Sequence, residues 1–254
     1  MIERQIDIST ADGAMSTFVT HPERDGPHPV ILFYMDAPAI REELRDMARR
    51  LAAVGYCVML PNLYYREGVM ELGSFSRDED APVRAKMMEL MGTLTIPRVM
   101  EDTHGLLAHA AADPAADETR VGAVGYCMSG QFAISAAAAF PDQVRAAASI
   151  YGVRLVTDRI DSPHVVAANV AAELYFACAE TDSWAPMTMV RALAAAMAAA
   201  PVRAEVEVYP GVEHGFAFPQ RAAYDRTAAE RHWERLFALF ERALCQTANG
   251  GKER

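Results

Sequence analysis

The sequence predicts an α/β fold: a mostly parallel, doubly wound sheet with antiparallel strands at its N-terminal edge. Three observations predict it. The run "HPVILFYMD" at 28 to 36 is continuously apolar, as a strand buried on both faces must be. It is followed by "EELRDMARRLAAVG", whose Leu44, Met47, Ala48 and Leu51 fall at helical spacing, and then by the second apolar strand "YCVMLPNL". Strand, helix, strand makes a right-handed βαβ unit and hence a parallel sheet, and the same alternation continues to the C-terminus.

The elements follow in order. "RQIDIS" and "MSTFVTH" alternate apolar and polar residues on either side of the turn cluster "TADGA", giving two antiparallel strands. Gly55 is a natural C-cap for the first helix. Residues 66 to 95 are the least regular, rich in charge and methionine, and read as a cap or substrate-side excursion. A helix is expected from about 96 to 112, a strand in "RVGAVGYC", and a helix over 129 to 140. "VRAAASIYG" and "AELYFACAETD" are further strands. Pro186 suits the first turn of a helix reaching Ala200. "RAEVEVYPG" is the last strand, and Trp233, Phe237, Phe240 and Leu244 form one stripe on the last helix. The tail 246 to 254 should fray. No repeat or linker divides the chain, so 1 to 254 reads as a single domain.

Composition narrows the function. The chain has 254 residues, 52% of them apolar, and a formal charge of −10, which disfavours nucleic-acid binding. "MIERQIDIST" has no apolar signal core, and the alanine-rich stretch 192 to 200 is far too short to span a bilayer. The four cysteines, Cys57, Cys127, Cys178 and Cys245, include no CxxC pair. Free thiols in a reducing cytoplasm, and a small-molecule substrate rather than a membrane or nucleic-acid partner, are the expectation. Nothing indicates the oligomeric state.

The chemistry concentrates in "VGAVGYCMSGQF". A strand runs into Cys127, a helix leaves from it, and Gly125 and Gly130 allow strand and helix to approach. This is the pattern of a nucleophile elbow, G-x-S-x-G, with cysteine at the centre, the last glycine one place late, and Ser129 small enough to stand in for it. The helix N-terminus favours a thiolate, and the backbone N–H of Met128 can serve an oxyanion. Cys57 and Cys178 lie inside apolar strands and read as core.

A thiol nucleophile needs a base and an orienting acid. Asp182 ends the strand in "ACAETDSWAP", and His214 follows the strand in "YPGVEHGFAF". Nucleophile, acid and histidine come in the order this arrangement requires, each at a strand's C-terminal end, the edge where open α/β sheets bind ligands. His164 precedes Asp182 and breaks the order. Glu180 and Glu213, neighbours of the preferred pair, are expected to face elsewhere. His104 and His109 are five apart, not on one helix face, and no metal-binding spacing occurs. The glycines at 122, 125 and 130 do not make a dinucleotide fingerprint.

In "GYCMSG", "AETDSW", "PGVEHGFAF" and "MLPNLYYR" the chain resembles the dienelactone hydrolase family, a branch of the α/β-hydrolase fold, from the strand at 29 to the helix near 243. The resemblance implies Cys127 as nucleophile, His214 as base and Asp182 as orienter. It implies a carboxylate touching the resting thiol, with Asp36 where the family typically has glutamate, and Ala37 as second oxyanion donor beside Met128. Typical members place an arginine shortly after the histidine for a substrate carboxylate. Here Phe218 fills that place, and Arg84 is the remaining candidate. Phe218, Tyr64, Trp184 and Arg84 are thus the expected pocket residues, and a more apolar pocket follows. The implied reaction is hydrolysis of a small ester or lactone through a thioester, with no metal or organic cofactor. A thioesterase or acyl transferase with the same triad, and a silent binding or redox-responsive thiol protein, are the alternatives.

Overall fold

Every residue of the strand His28–Tyr34 is buried, because it lies between two parallel neighbours in the middle of an eight-stranded sheet. The computed structural model describes residues 1–72 and 82–245. The strands are β1 (Ile2–Thr10), β2 (Gly13–His21), β3 (His28–Tyr34), β4 (Cys57–Pro61), β5 (Ala116–Tyr126), β6 (Val144–Ile150), β7 (Glu173–Thr181) and β8 (Ala204–Glu213). Their order is β1-β2-β4-β3-β5-β6-β7-β8. β1 pairs antiparallel with β2, and β2 with β4; every other pairing is parallel. The expected antiparallel edge and parallel body are both present.

The helices are α1 (Glu42–Ala52), α2 (Pro82–Thr93), α3 (Ile96–Ala112), α4 (Gly130–Ala139), α5 (Pro163–Val166), α6 (Met187–Ala199) and α7 (Arg226–Phe240). α1 buries Leu44, Met47, Ala48 and Leu51, the predicted stripe. It stops earlier than expected: Ala53 is the C-cap, and Gly55, at φ 108°, completes the turn by donating to the Ala52 carbonyl at 3.0 Å. α1 is tied to α7 by Arg50, which lies 4.6 Å over the Trp233 ring and bonds Glu230 at 2.6 Å. Pro186 is the N-cap of α6 rather than a residue of its first turn. Among the described residues no helix is long and apolar enough to cross a membrane.

The expected irregular segment 66–95 resolves into a short 3-10 turn at Tyr65–Glu67, a single bridge between Ala39 and Glu71, and α2. Its stretch 73–81 lies outside the described residues, as does the tail 246–254 for which fraying is expected. Arg66 anchors the turn by a bidentate pair with the fully buried Asp102 of α3, at 2.8 and 2.9 Å. The parallel strands share one direction, so the residues after β3, β5, β6, β7 and β8 meet at a common rim.

Candidate active site

At the end of β5 the chain turns sharply. Cys127 has φ 54°, a left-handed conformation that side chains rarely adopt, and Cys127–Ser129 form one 3-10 turn leading into α4. The glycines are sterically required. A Cβ on Gly125 would lie 2.0 Å from the Ser129 carbonyl oxygen, and one on Gly130 would lie 2.6 Å from Gly152 Cα. The hydroxyl of Ser129 donates to the Met35 carbonyl at the end of β3, and Val153 N–H donates to the Cys127 carbonyl at 3.1 Å. The elbow is therefore held from both neighbouring strands. Cys127 is half-buried, with the N-terminus of α4 beside it. Burial pushes the thiols of Cys57 and Cys178 up to about 12, which keeps these core cysteines inert.

After β7, Asp182 is buried. Its Oδ1 accepts the backbone N–H groups of Trp184 (2.8 Å) and Ala185 (3.0 Å), which leaves Oδ2 for His214 Nδ1 at 2.7 Å. With Nδ1 committed, the other ring nitrogen is left for Cys127, which lines the same cavity and interacts electrostatically with the imidazole. Burial alone would lower the imidazole's proton affinity. The charge at Cys127, the hydrogen bonds to Asp182 and Cys127 and the Asp182 charge outweigh it, and His214 is pushed up to about 10. The arrangement favours the imidazolium form of His214.

Asp36 follows β3 and is 1% exposed, on the same cavity as Cys127. Its position differs in partner from the thiol contact expected. Arg41 grips Oδ1 at 2.5 Å and Oδ2 at 3.2 Å, and Arg221 bonds Oδ2 at 2.8 Å. No hydrogen bond joins Asp36 to the sulfur among the described residues. Arg41 also reaches Glu43, whose other oxygen accepts Gln220 N–H at 2.9 Å, so the cluster fixes the loop after His214. Phe218 lies under both guanidiniums, 4.9 Å from Arg41 and 5.7 Å from Arg221.

A cavity of about 430 Å³ opens over these groups. Cys127, His214, Asp36, Ala37, Phe218, Trp184 and Arg84 line it, with Met87 and Met91 of α2 and with Val153. Arg84 lies 5.8 Å over the Trp184 ring at the mouth. Two expectations need correction. Tyr64 is not a wall residue: it is fully buried behind the cavity, where its hydroxyl donates to the Ala37 carbonyl at 3.0 Å and touches Met128 Sδ at 3.3 Å. It packs together the two segments that carry the expected oxyanion donors. Glu213 does not face elsewhere but lines the cavity, whereas Glu180 accepts Gly211 N–H at 2.8 Å.

Sequence reasoning missed Arg41, Arg221 and Tyr151. Tyr151 immediately follows β6 and was findable by the strand-end rule that found the others. The arginines had no such signal. Among the described residues no three His, Cys, Asp or Glu side chains are grouped to hold a metal.

The model of the dienelactone hydrolase family matches residues 15–244. A protein of Methylorubrum extorquens named "Putative carboxymethylenebutenolidase" is 28% identical over 240 residues, 93% of this chain and 79% of its own length. A protein of Escherichia coli K12 with the same name is 28% identical over 231 residues, 89% of this chain and 82% of its own. The crystal structure of a "Putative Dienelactone Hydrolase" from Klebsiella pneumoniae superposes with a TM-score of 0.84 at 28% identity, covering 95% of this chain and 98% of that one. The architecture is the α/β-hydrolase fold.

Proposed function

The chain belongs to the dienelactone hydrolase family, and from that premise we propose that it hydrolyses small neutral esters or lactones through Cys127, His214 and Asp182. The observation that carries the reading is the hydrogen bond of Asp182 to His214 at 2.7 Å, with His214 and Cys127 lining one cavity.

The thiolate attacks the carbonyl carbon, forming a C–S bond and moving the carbonyl electrons onto oxygen. Backbone N–H groups of Met128 and Ala37 receive this oxyanion, each contributing roughly 3 kcal/mol. As the intermediate collapses, the C–O bond to the leaving group breaks and the His214 imidazolium gives that oxygen its proton. Water then attacks the thioester. His214 takes the water's proton, and the thiolate leaves as the acid forms. Asp182 holds the imidazole in the tautomer that both transfers need.

The walls favour a neutral acyl group. Met87, Met91, Val153, Trp184 and Phe218 are apolar, and the positive charge of Arg221 is faced by the carboxylate of Asp36. A volume near 430 Å³ suits a small molecule. The test is hydrolysis of para-nitrophenyl esters by wild type and Cys127→Ala, with and without iodoacetamide, followed by a lactone panel varied in charge. Loss of activity in the variant and after alkylation is expected, with neutral substrates hydrolysed fastest. Full activity in Cys127→Ala would overturn the nucleophile assignment. A strong preference for the dianionic dienelactone would overturn the substrate class.

A further inference from the structure

Tyr151 is a rim residue to which the reaction above gives no task. It follows β6 directly, and the pairing of Ile150 with Tyr126 sets it level with Cys127 on the adjacent strand. Its backbone, like that of Cys127, lies in the left-handed region, at φ 37°. Strain of this kind in a residue that is not glycine persists only where surrounding contacts enforce it, and it concentrates at functional sites. The contacts are present. The Tyr151 N–H donates to the Ala177 carbonyl at 2.6 Å. The ring stands edge-on to His214 at 4.9 Å and to Phe216 at 5.2 Å, and lies 6.0 Å from Tyr126.

Thr20, Ser135 and Ser149 also carry buried hydroxyls without a partner among the described residues, but the hydroxyl held by this cage is the one on a tyrosine. Tyr151 is 1% exposed, yet its oxygen has no hydrogen-bond partner among the described residues, although the side chain lines the cavity. Other buried tyrosines do find partners: Tyr34 bonds Thr103 at 2.7 Å, Tyr64 bonds Ala37, and Tyr126 bonds His232 at 3.1 Å. A buried phenol without an acceptor is costly, so its retention at a cavity wall calls for an acceptor that comes from the cavity. Burial, and then the charges of Asp36 and of its other acidic neighbours, Cys127 included, hold its proton affinity well above the ordinary phenol range, against the pull of Arg221. The group therefore acts as a donor and stays neutral.

We propose that the Tyr151 hydroxyl donates a hydrogen bond to an oxygen carried by the acyl part of the substrate, making it a specificity-determining contact. The oxyanion is assigned to backbone donors and the leaving oxygen to His214. The phenol's charged neighbours, Asp36, Cys127 and Arg221, line the cavity with it. The substrate class this selects is an ester or lactone whose acyl chain bears an ether, hydroxyl or carbonyl oxygen close to the scissile carbonyl. The inference rests on the Cys127 hydrolase reading.

The experiment compares para-nitrophenyl methoxyacetate with its all-carbon isostere, the butanoate, for wild type and Tyr151→Phe. Each kcat/KM is divided by the ester's own rate of hydroxide-catalysed hydrolysis, which removes the difference in intrinsic reactivity. Wild type should favour the methoxyacetate by about tenfold after that correction, and Tyr151→Phe should abolish the preference while changing butanoate turnover less than about threefold. The pH profile of Cys127 alkylation by iodoacetamide should not move. Equal losses on both esters, a shifted alkylation profile, or a corrected wild-type ratio near unity would each overturn the contact. The wild-type ratio decides the matter even if the variant folds poorly. Absence of any Cys127-dependent turnover would instead refute the hydrolase reading itself.

Discussion

Replacing Asp182 by asparagine isolates the orienting carboxylate with little other damage. Its Oδ1 accepts two backbone N–H groups, and an asparagine oxygen can keep both, so the turn after β7 should survive. What changes is the group facing His214 Nδ1 at 2.7 Å: an acceptor oxygen becomes an amide donor. A hydrogen bond to a charged partner is worth about 1.5–3 kcal/mol, or roughly 10- to 150-fold in rate. The amide also forces the imidazole into the wrong tautomer, with its proton on the nitrogen that faces sulfur, and in a serine triad the combined effect reaches about 10⁴. A thiol depends less on its base than a hydroxyl does, so a loss of roughly 10³ in kcat is expected here. Steady-state para-nitrophenyl ester hydrolysis measures it. Thermal unfolding should stay within about 3 °C of wild type. Activity within tenfold of wild type, in a folded variant, would refute the claim that Asp182 orients His214.

Further expectations follow from the same geometry. The His214 imidazolium should persist to a midpoint near pH 10 by NMR, and Cys127→Ala should bring that midpoint down, because the charge at Cys127 leads the interactions that raise it. Since the folded value is raised, this group's contribution to stability is complete below pH about 6.5 and is lost as pH rises through 10; wild type should lose its stability advantage over His214→Gln across that window in urea unfolding. His232 is buried and lowered to about 3, so it must charge to unfold in acid. Wild type should lose a few kcal/mol more than His232→Gln as pH falls from about 6.5 towards 3, and equal acid sensitivity would refute this. Asp36→Asn removes the buried carboxylate that two half-buried guanidiniums share, although Arg41 keeps Glu43, and should destabilise by about 1.5–3 kcal/mol in the same assay. Gly125→Ala should cost more than about 3 kcal/mol or prevent folding, because backbone rather than a movable side chain occupies the Cβ position.

The sequence revealed the rim but not the cross-ties behind it. Cys127, Asp182 and His214 could be read because each follows an apolar run, and parallel strands bring such positions to one edge whatever their separation in the chain. Gly125 and Gly130 marked the elbow, since only glycine fits there. The partners of Asp36 could not be read. Arg41 is five residues away and Arg221 is 185, and no periodicity links them; only the folded loop after His214 brings Arg221 to the carboxylate. For the same reason the sequence around Tyr64 points to the pocket, whereas its buried hydroxyl donates to the Ala37 carbonyl. Glu213, next to His214, also lines the cavity, where the chain turns at Gly215, φ 94°.

The central claim is that the Cys127 sulfur becomes acylated during turnover. Rapid acid quench of Asp182→Asn with a para-nitrophenyl ester, followed by proteolysis and mass spectrometry, tests it most directly. The account predicts one added acyl group, on the peptide containing Cys127, sensitive to hydroxylamine and absent from Cys127→Ala. An unmodified Cys127 in an enzyme that is still turning over, or an acyl group on any other residue, would contradict it.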